Sequence, residues 1–221
     1  MHQETKLAEL IATRLCHDLT GPIGAVNNGV EFLEEEGFDM TNEAVKLIIN
    51  SAHETVNRLQ FYRQAYGRVG EAGEASLAEK KKIAADFFSN TKIKLDWPDS
   101  HTDASGVAIS QKMSRLLLNL MIIASAAAIR GGTLSVRVIQ ADDGAKQMDV
   151  SVVGETIKLD PEVSTILSSA SEDIPLTTKT VQIYLTKRLA EELHATVTLT
   201  SDSGSLALRM LQPQMAMSAA S

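Results

Sequence analysis

Apolar residues recur at spacings of three and four through the opening part of the chain. Leu7, Ile11, Leu15, Leu19, Ile23, Val26, Val30 and Leu33 stay on one side of a helix turning ~100° per residue, which predicts a first helix over about 5–36. The acidic run Glu34-Glu35-Glu36 and Gly37 end it. Pro22 falls inside this helix, removes one backbone donor and bends the axis. Val45, Ile48, Ala52, Val56, Leu59, Tyr62 and Tyr66 mark a second helix, capped by Thr41 or Asn42 and ending near Gly67. A turn over 37–40 makes the two an antiparallel hairpin.

Such a hairpin cannot bury two apolar stripes by itself. Pairing with a second copy in a four-helix bundle satisfies both, so a homodimer is expected. A monomer whose second domain covers the hairpin is the other arrangement that meets the requirement.

Past the hairpin the pattern changes. Small and charged residues with glycines make 71–76 a linker. A helix over 78–90 leads to a strand over 92–97 stopped by Pro98, then to a largely buried helix over 111–129 closed by Gly131-Gly132. Stretches 133–140 and 148–153 alternate as strands around the turn Asp142-Asp143-Gly144. Asp160-Pro161 opens a short helix, 177–194 forms another, and 195–200 with 205–211 make a last hairpin around Ser203-Gly204. The expected fold class is α+β: a helical hairpin over 1–70 forming a dimeric four-helix bundle, the linker, a sheet layered on helices over 77–212, and a disordered tail over 213–221.

Composition narrows the function. A net charge of -7 on 221 residues argues against nucleic-acid binding, which needs clustered cations. The densest basic run, Lys80-Lys81-Lys82, follows Glu79 and reads as a solvated helix face. The single cysteine, Cys16, excludes an internal disulfide and a multi-cysteine metal site. His2, His17, His53, His101 and His194 have no metal-ligand spacing, and His194 reads instead as a helix C-terminal cap. The longest apolar run, 116–129, is broken by Asn119 and Ser125 and falls short of the ~20 residues of a membrane span. The first nine residues are polar and carry no signal pattern, so a cytoplasmic protein without membrane partners is expected.

Candidate chemistry gathers in Arg14-Leu15-Cys16-His17-Asp18-Leu19-Thr20-Gly21-Pro22. On the helical wheel His17 lies almost opposite the Leu15/Val26/Leu33 seam and faces water, with Gly21, Gly24 and Asn28 on its side. A histidine among small residues is open to a bulky partner. Imidazole titrates near neutrality, so one ring nitrogen is free to attack or to be phosphorylated. Asp18 can accept a hydrogen bond from the other nitrogen and fix the tautomer. Taken alone, such a dipeptide is more often a solvated pair on a helix surface.

The stretch His17-Asp18-x-x-x-Pro22 in the first of two bundle helices, followed by an α+β domain, resembles the dimeric histidine kinases. It resembles most closely the ChpT-type histidine phosphotransferases of alphaproteobacterial cell-cycle relays. The likeness rests on Arg14 to Asp18 with Pro22, on Asn27-Asn28-Gly29 with Glu31, and on Leu59-Gln60-Phe61 with Ala65-Tyr66-Gly67. It implies that 77–212 is a degenerate histidine-kinase ATPase-like α/β sandwich. Leu118 to Ala124 aligns with the kinase asparagine box: Asn119 is kept, but Ile123 replaces the Mg²⁺-coordinating asparagine. Val152-Val153-Gly154-Glu155 has no aspartate where the Asp-x-Gly turn belongs, and Thr177-Thr178-Lys179-Thr180 has no glycine where the phosphate loop belongs. Loss of the backbone cradle and of a metal ligand together implies that ATP is not bound. Gly21 also stands where phosphatase-competent kinases carry Thr or Asn.

For function, the resemblance implies that His17 is a phosphoacceptor oriented by Asp18. Receiver docking is expected on a face with Arg14, Gly21, Gly24 and Asn28, edged by Arg58 and Arg63. Implied partners are a second copy, the receiver domain of a hybrid histidine kinase, and response regulators of the CtrA and CpdR type. No cofactor is expected to be resident, and Mg²⁺ arrives with the receiver's acidic pocket. The competing readings are an ATP-dependent kinase and a non-catalytic dimeric adaptor that docks receivers.

Overall fold

The structure, a computed structural model, describes residues 2–36, 43–67, 73–102, 106–168 and 175–214. Helices α1 (His2–Glu36) and α2 (Glu43–Tyr66) form the antiparallel hairpin. The expected turn at 37–40 and the cap at Thr41 or Asn42 lie outside the described residues, as does most of the expected tail. Gly29 sets the hairpin spacing, since a Cβ there would stand 2.6 Å from Ile48 Cγ1 and 3.2 Å from the Ala44 carbonyl. Helix α1 runs through Pro22 without interruption. Proline has no N–H, so the Asp18 carbonyl four residues earlier loses its helical donor. Arg58 of α2 takes that place, donating from Nη1 to Asp18 O at 2.8 Å.

The expected linker differs from what forms. Glu74–Ala75 is a strand, β1, and Ser76 caps the next helix, α3 (Leu77–Phe88), by accepting from the Glu79 N–H at 3.1 Å. Strand β2 is Ile93–Asp96, β3 is Ile109–Ser110 and α4 is Gln111–Ala127. Then come β4 (Gly132–Gln140), β5 (Lys146–Val153), α5 (Pro161–Ser168), α6 (Val181–Glu192), β6 (Thr196–Asp202) and β7 (Ser205–Gln212). Strand β1 pairs with β3, supplying the backbone partners that a free linker would leave to water. The main sheet has the order β2-β4-β5-β7-β6, parallel at β2–β4 and antiparallel elsewhere.

Alternation along these strands decides which face is dry. Leu134, Val136 and Val138, Met148, Val150 and Val152, and Leu206, Leu208 and Met210 are all buried on one face. Between them Ser135, Arg137, Asp149, Ser151 and Arg209 line the other face, where Arg209 pairs with Asp149 at 2.7 Å. Helix α4 covers the dry face and is apolar on nearly every side because α6 and α2 cover it in turn. The architecture is the expected α+β class, a hairpin joined to a layered sandwich.

Three local expectations change in three dimensions. Lys80 is not on a solvated face: it is 3 % exposed, and its Nζ donates to Gln64 Oε1 of α2 at 2.8 Å. Helix α6 starts at Val181 rather than at 177, because the Thr177 and Thr180 hydroxyls each accept the other's backbone N–H. His194 does close that helix, but through its backbone: its φ is 50°, and its N–H meets Glu191 O at 3.0 Å.

Aromatic rings make the joint between hairpin and sandwich. Phe61 is wholly buried, stacked on Phe87 at 4.1 Å and edge-on to Tyr62 and Phe88 at 6.2 Å. Asn57 Nδ2 adds a hydrogen bond to Asp86 O at 3.1 Å. Burying one such ring contributes about 3 kcal/mol, more than the roughly 0–1 kcal/mol of a surface ion pair. The second domain therefore covers the open end of α2. Further along the hairpin, Ile23, Val30, Val56 and Leu59 remain 42–52 % exposed.

Candidate functional site

Helix α1 places His17 on its wet side, with 87 % of the side chain exposed. His17 Nδ1 lies 3.2 Å from Asp18 Oδ1. A carboxylate only accepts, so in the neutral ring this contact puts the proton on Nδ1 and leaves Nε2 its lone pair. The other oxygen, Oδ2, accepts from the Tyr62 hydroxyl of α2 at 2.7 Å. Burial, and then the hydrogen bond to Asp18, push the Tyr62 phenol far above its ordinary range, which keeps it protonated and donating. Arg14, one turn before Asp18, brings Nε to 3.9 Å from Oδ2, an ionic contact beyond hydrogen-bond range.

The candidate residues do not all gather. Arg14, His17, Asp18 and Arg58 come together, and Arg58 is committed twice, to the Asp18 carbonyl and to Glu54 Oε1 at 2.6 and 3.0 Å. Gly21 and Gly24 leave open space, since a Cβ on either would meet nothing within 4 Å. Asn28 is exposed further along α1. Arg63 stands apart. It lines an apolar cleft of about 660 Å³ with Leu15, Leu19 and Leu59, on the side of α1 away from His17. Thr20 turns its hydroxyl back to Cys16 O at 2.7 Å.

Tyr62 and Tyr66 were legible in the sequence only as apolar stripe positions. Their hydroxyls carry the polar connections, and two signals point to them. A buried tyrosine needs a partner for its O–H, and Glu54, Arg58, Tyr62 and Tyr66 repeat every four residues along one line of α2.

On the second domain, a cleft of about 530 Å³ is lined by Ile122, Ile123, Lys158, Lys179 and Gln182, with Arg14 reaching in from α1. Asn119 does not line it. This side chain is fully buried and donates to Ala65 O of α2 at 2.9 Å and to Arg115 O at 2.7 Å. Its Oδ1 accepts from Gln182 Nε2 at 2.6 Å, and Gln182 Oε1 accepts from the Tyr66 hydroxyl at 2.6 Å. Burial pushes the Tyr66 phenol up to about 12. The asparagine ties the two domains together. Val153 is 60 % exposed, and Glu155 pairs with Arg130 at 3.4 Å. Among the described residues no cluster of three or more His, Cys, Asp or Glu is placed to hold a metal, and no helix is long and apolar enough to cross a membrane.

A helical hairpin that exposes a histidine–aspartate pair and packs on an α/β sandwich defines the class of two-domain histidine phosphotransferases. Comparison with known proteins gives the family. Residues 77–205 match the model of the histidine phosphotransferase C-terminal domain. Protein phosphotransferase ChpT of Brucella abortus (strain 2308) is 35 % identical over 197 residues, covering 86 % of this chain and 90 % of that one. A bacterial phosphotransferase solved at 1.7 Å superposes with a TM-score of 0.77 and 31 % identity, covering 92 % of this chain and 95 % of that chain. A histidine kinase domain from Erythrobacter litoralis EL346 also matches, at a TM-score of 0.47 and 14 % identity, covering 96 % of this chain and 94 % of that chain. The chain belongs to the histidine phosphotransferase family, and its function is phosphotransfer.

Proposed function

We propose that this protein is a phosphorelay intermediate in which His17 takes a phosphoryl group from the aspartate of one receiver domain and passes it to the aspartate of another. The donor is the receiver of a hybrid histidine kinase, and the acceptors are response regulators of the CtrA and CpdR type. The observation that carries the reading is the exposed imidazole with Nδ1 occupied by Asp18 and Nε2 without a protein partner among the described residues.

In the forward step the Nε2 lone pair attacks phosphorus in line. The P–N bond forms as the P–O bond to the receiver carboxylate breaks, and that electron pair leaves with the aspartate. The positive charge that develops on the ring spreads to Nδ1–H, where Asp18 stabilises it. Both phosphorylated forms are energy-rich, so transfer is near balanced and catalysis is mostly positioning. Mg²⁺ comes with the receiver.

Three observations support the remaining parts of the reading. Ile123, in the wall of the second-domain cleft, offers no oxygen to a metal, and Thr177 and Thr180 bond each other in the stretch where the resemblance puts a phosphate cradle, so relay without ATP is the consistent chemistry. The apolar cleft beside Leu59, with Ile23 and Val56 exposed, fits a second copy that completes a four-helix bundle while leaving His17 outside. Receivers then dock on the His17, Gly21, Gly24 and Asn28 face, edged by Arg14 and Arg58, in the cytoplasm.

Incubation with receiver domains charged by acetyl phosphate tests the assignment. The wild-type protein should gain an acid-labile label, and His17→Ala should gain none while keeping its fold. Label on the variant refutes the assignment of His17. A wild-type protein that binds receivers but never becomes labelled is an adaptor instead.

A further inference from the structure

Asp18 is held at three points, two of them by one line of α2 and the third by its neighbour His17. Its carbonyl, freed by Pro22, meets Arg58; its Oδ1 meets His17; its Oδ2 meets Tyr62. With both carboxylate oxygens occupied, the group cannot rotate without breaking a hydrogen bond. The 2.7 Å bond from Tyr62 is a charge-assisted O–H to carboxylate contact, the stronger of the two side-chain bonds. Tyr62 is itself fixed: its ring lies 5.6 Å from that of Tyr66 at an interplanar angle of 19°, and Tyr66 is hydrogen-bonded to Gln182 and through it to Asn119. A continuous chain thus runs from the buried asparagine of the second domain to the exposed histidine.

We propose that Tyr62 is a positioning residue for phosphotransfer: it locks the Asp18 carboxylate so that His17 holds its proton on Nδ1 and presents Nε2, and the second domain holds Tyr62 in place through Tyr66, Gln182 and Asn119. The rate consequence rests on His17 being the phosphoacceptor; the tautomer consequence does not. The proposal gives the sandwich a task in the chemistry that needs no nucleotide. Tyr62 touches neither the phosphoryl group nor the reacting nitrogen, and acts through Asp18.

Tyr62→Phe removes the hydroxyl and keeps the ring against Phe61 and Phe87. Long-range ¹H–¹⁵N NMR of His17 reads the tautomer directly. The wild-type ring should be mainly the Nδ1–H form, and Tyr62→Phe should shift the population toward Nε2–H. Transfer from a receiver that labels the wild type should slow by about tenfold at saturating receiver, the scale of one hydrogen bond to a charged group, with the half-saturating receiver concentration unchanged. In an Asp18→Ala background the same substitution should have no further effect on rate.

Tyr66→Phe, which cuts the link to Gln182, should move tautomer and rate in the same direction by a smaller factor. An unchanged tautomer ratio in Tyr62→Phe overturns the proposal. So does an equal loss of rate with and without Asp18, which would make Tyr62 a packing residue only. A null result in Tyr66→Phe alone removes the second domain from the device. Label retained on His17→Ala overturns the phosphoacceptor reading and leaves the tautomer measurement standing.

Discussion

Truncating Asn119 to alanine should destabilise this protein strongly, although a nucleotide-domain ancestry would place that residue at a ligand site. Asn119 is fully buried and makes three hydrogen bonds, two as donor and one as acceptor. In Asn119→Ala, Gln182 Nε2 loses its acceptor inside a side chain only 4 % exposed, and Ala65 O loses a donor from across the domain joint. A buried polar group left unpaired costs about 1–3 kcal/mol, and the small cavity adds to it. The expected loss is about 3–4 kcal/mol. With a urea slope of about 2 kcal/mol per M, the unfolding midpoint should fall by roughly 1.5–2 M. Trp97, the only tryptophan, reports the transition from inside the sandwich, where it is 4 % exposed and donates to His101 O at 2.8 Å. Asn119→Asp should be as damaging, because it turns a carboxylate oxygen toward two carbonyls. A midpoint shift under about 0.3 M would refute the structural role and return Asn119 to the list of ligand-binding candidates.

Further outcomes follow from other parts of the molecule. ATP with millimolar Mg²⁺ should give no binding heat in calorimetry, and a micromolar dissociation constant would mean that the second-domain cleft still serves nucleotide. Tyr66 has a folded pKa of about 12 against its ordinary 10.0, so the folded state holds the proton more tightly; stability present below pH 10 is lost as pH rises toward 12. Tyrosinate absorbance and loss of helical circular dichroism should therefore rise together on alkaline titration, and Tyr66→Phe should flatten the slope. Gly24→Ala should raise stability by about 0.5–1 kcal/mol, since helix propensity improves and the site is open. Gly29→Leu should lower it by about 1–3 kcal/mol by forcing α1 from Ile48; a Gly29→Leu melting temperature at or above that of the wild type would contradict the hairpin spacing.

The sequence alone determined the parts governed by local periodicity and local chemistry. Spacings of three and four predicted α1 and α2, alternation predicted β4, β5 and β7, and Asp142-Asp143-Gly144 predicted the turn that Gly144 makes at a φ of 80°. The wheel position of His17, its exposure and the contact with Asp18 were also legible, because neighbours on one helix are fixed by its pitch. Tertiary structure decided what spans domains. Lys80 reads as a solvated charge until Gln64 of α2 covers it, and Asn119 reads as a remnant until Ala65 and Gln182 converge on it. Arg58 and Tyr62 lie 40 and 44 residues from Asp18 in sequence, and only the hairpin register brings a guanidinium to the carbonyl that Pro22 freed and a phenol to the carboxylate beside it. Periodicity states which face of a helix is dry. It does not state which hydroxyl, across the groove, meets which oxygen.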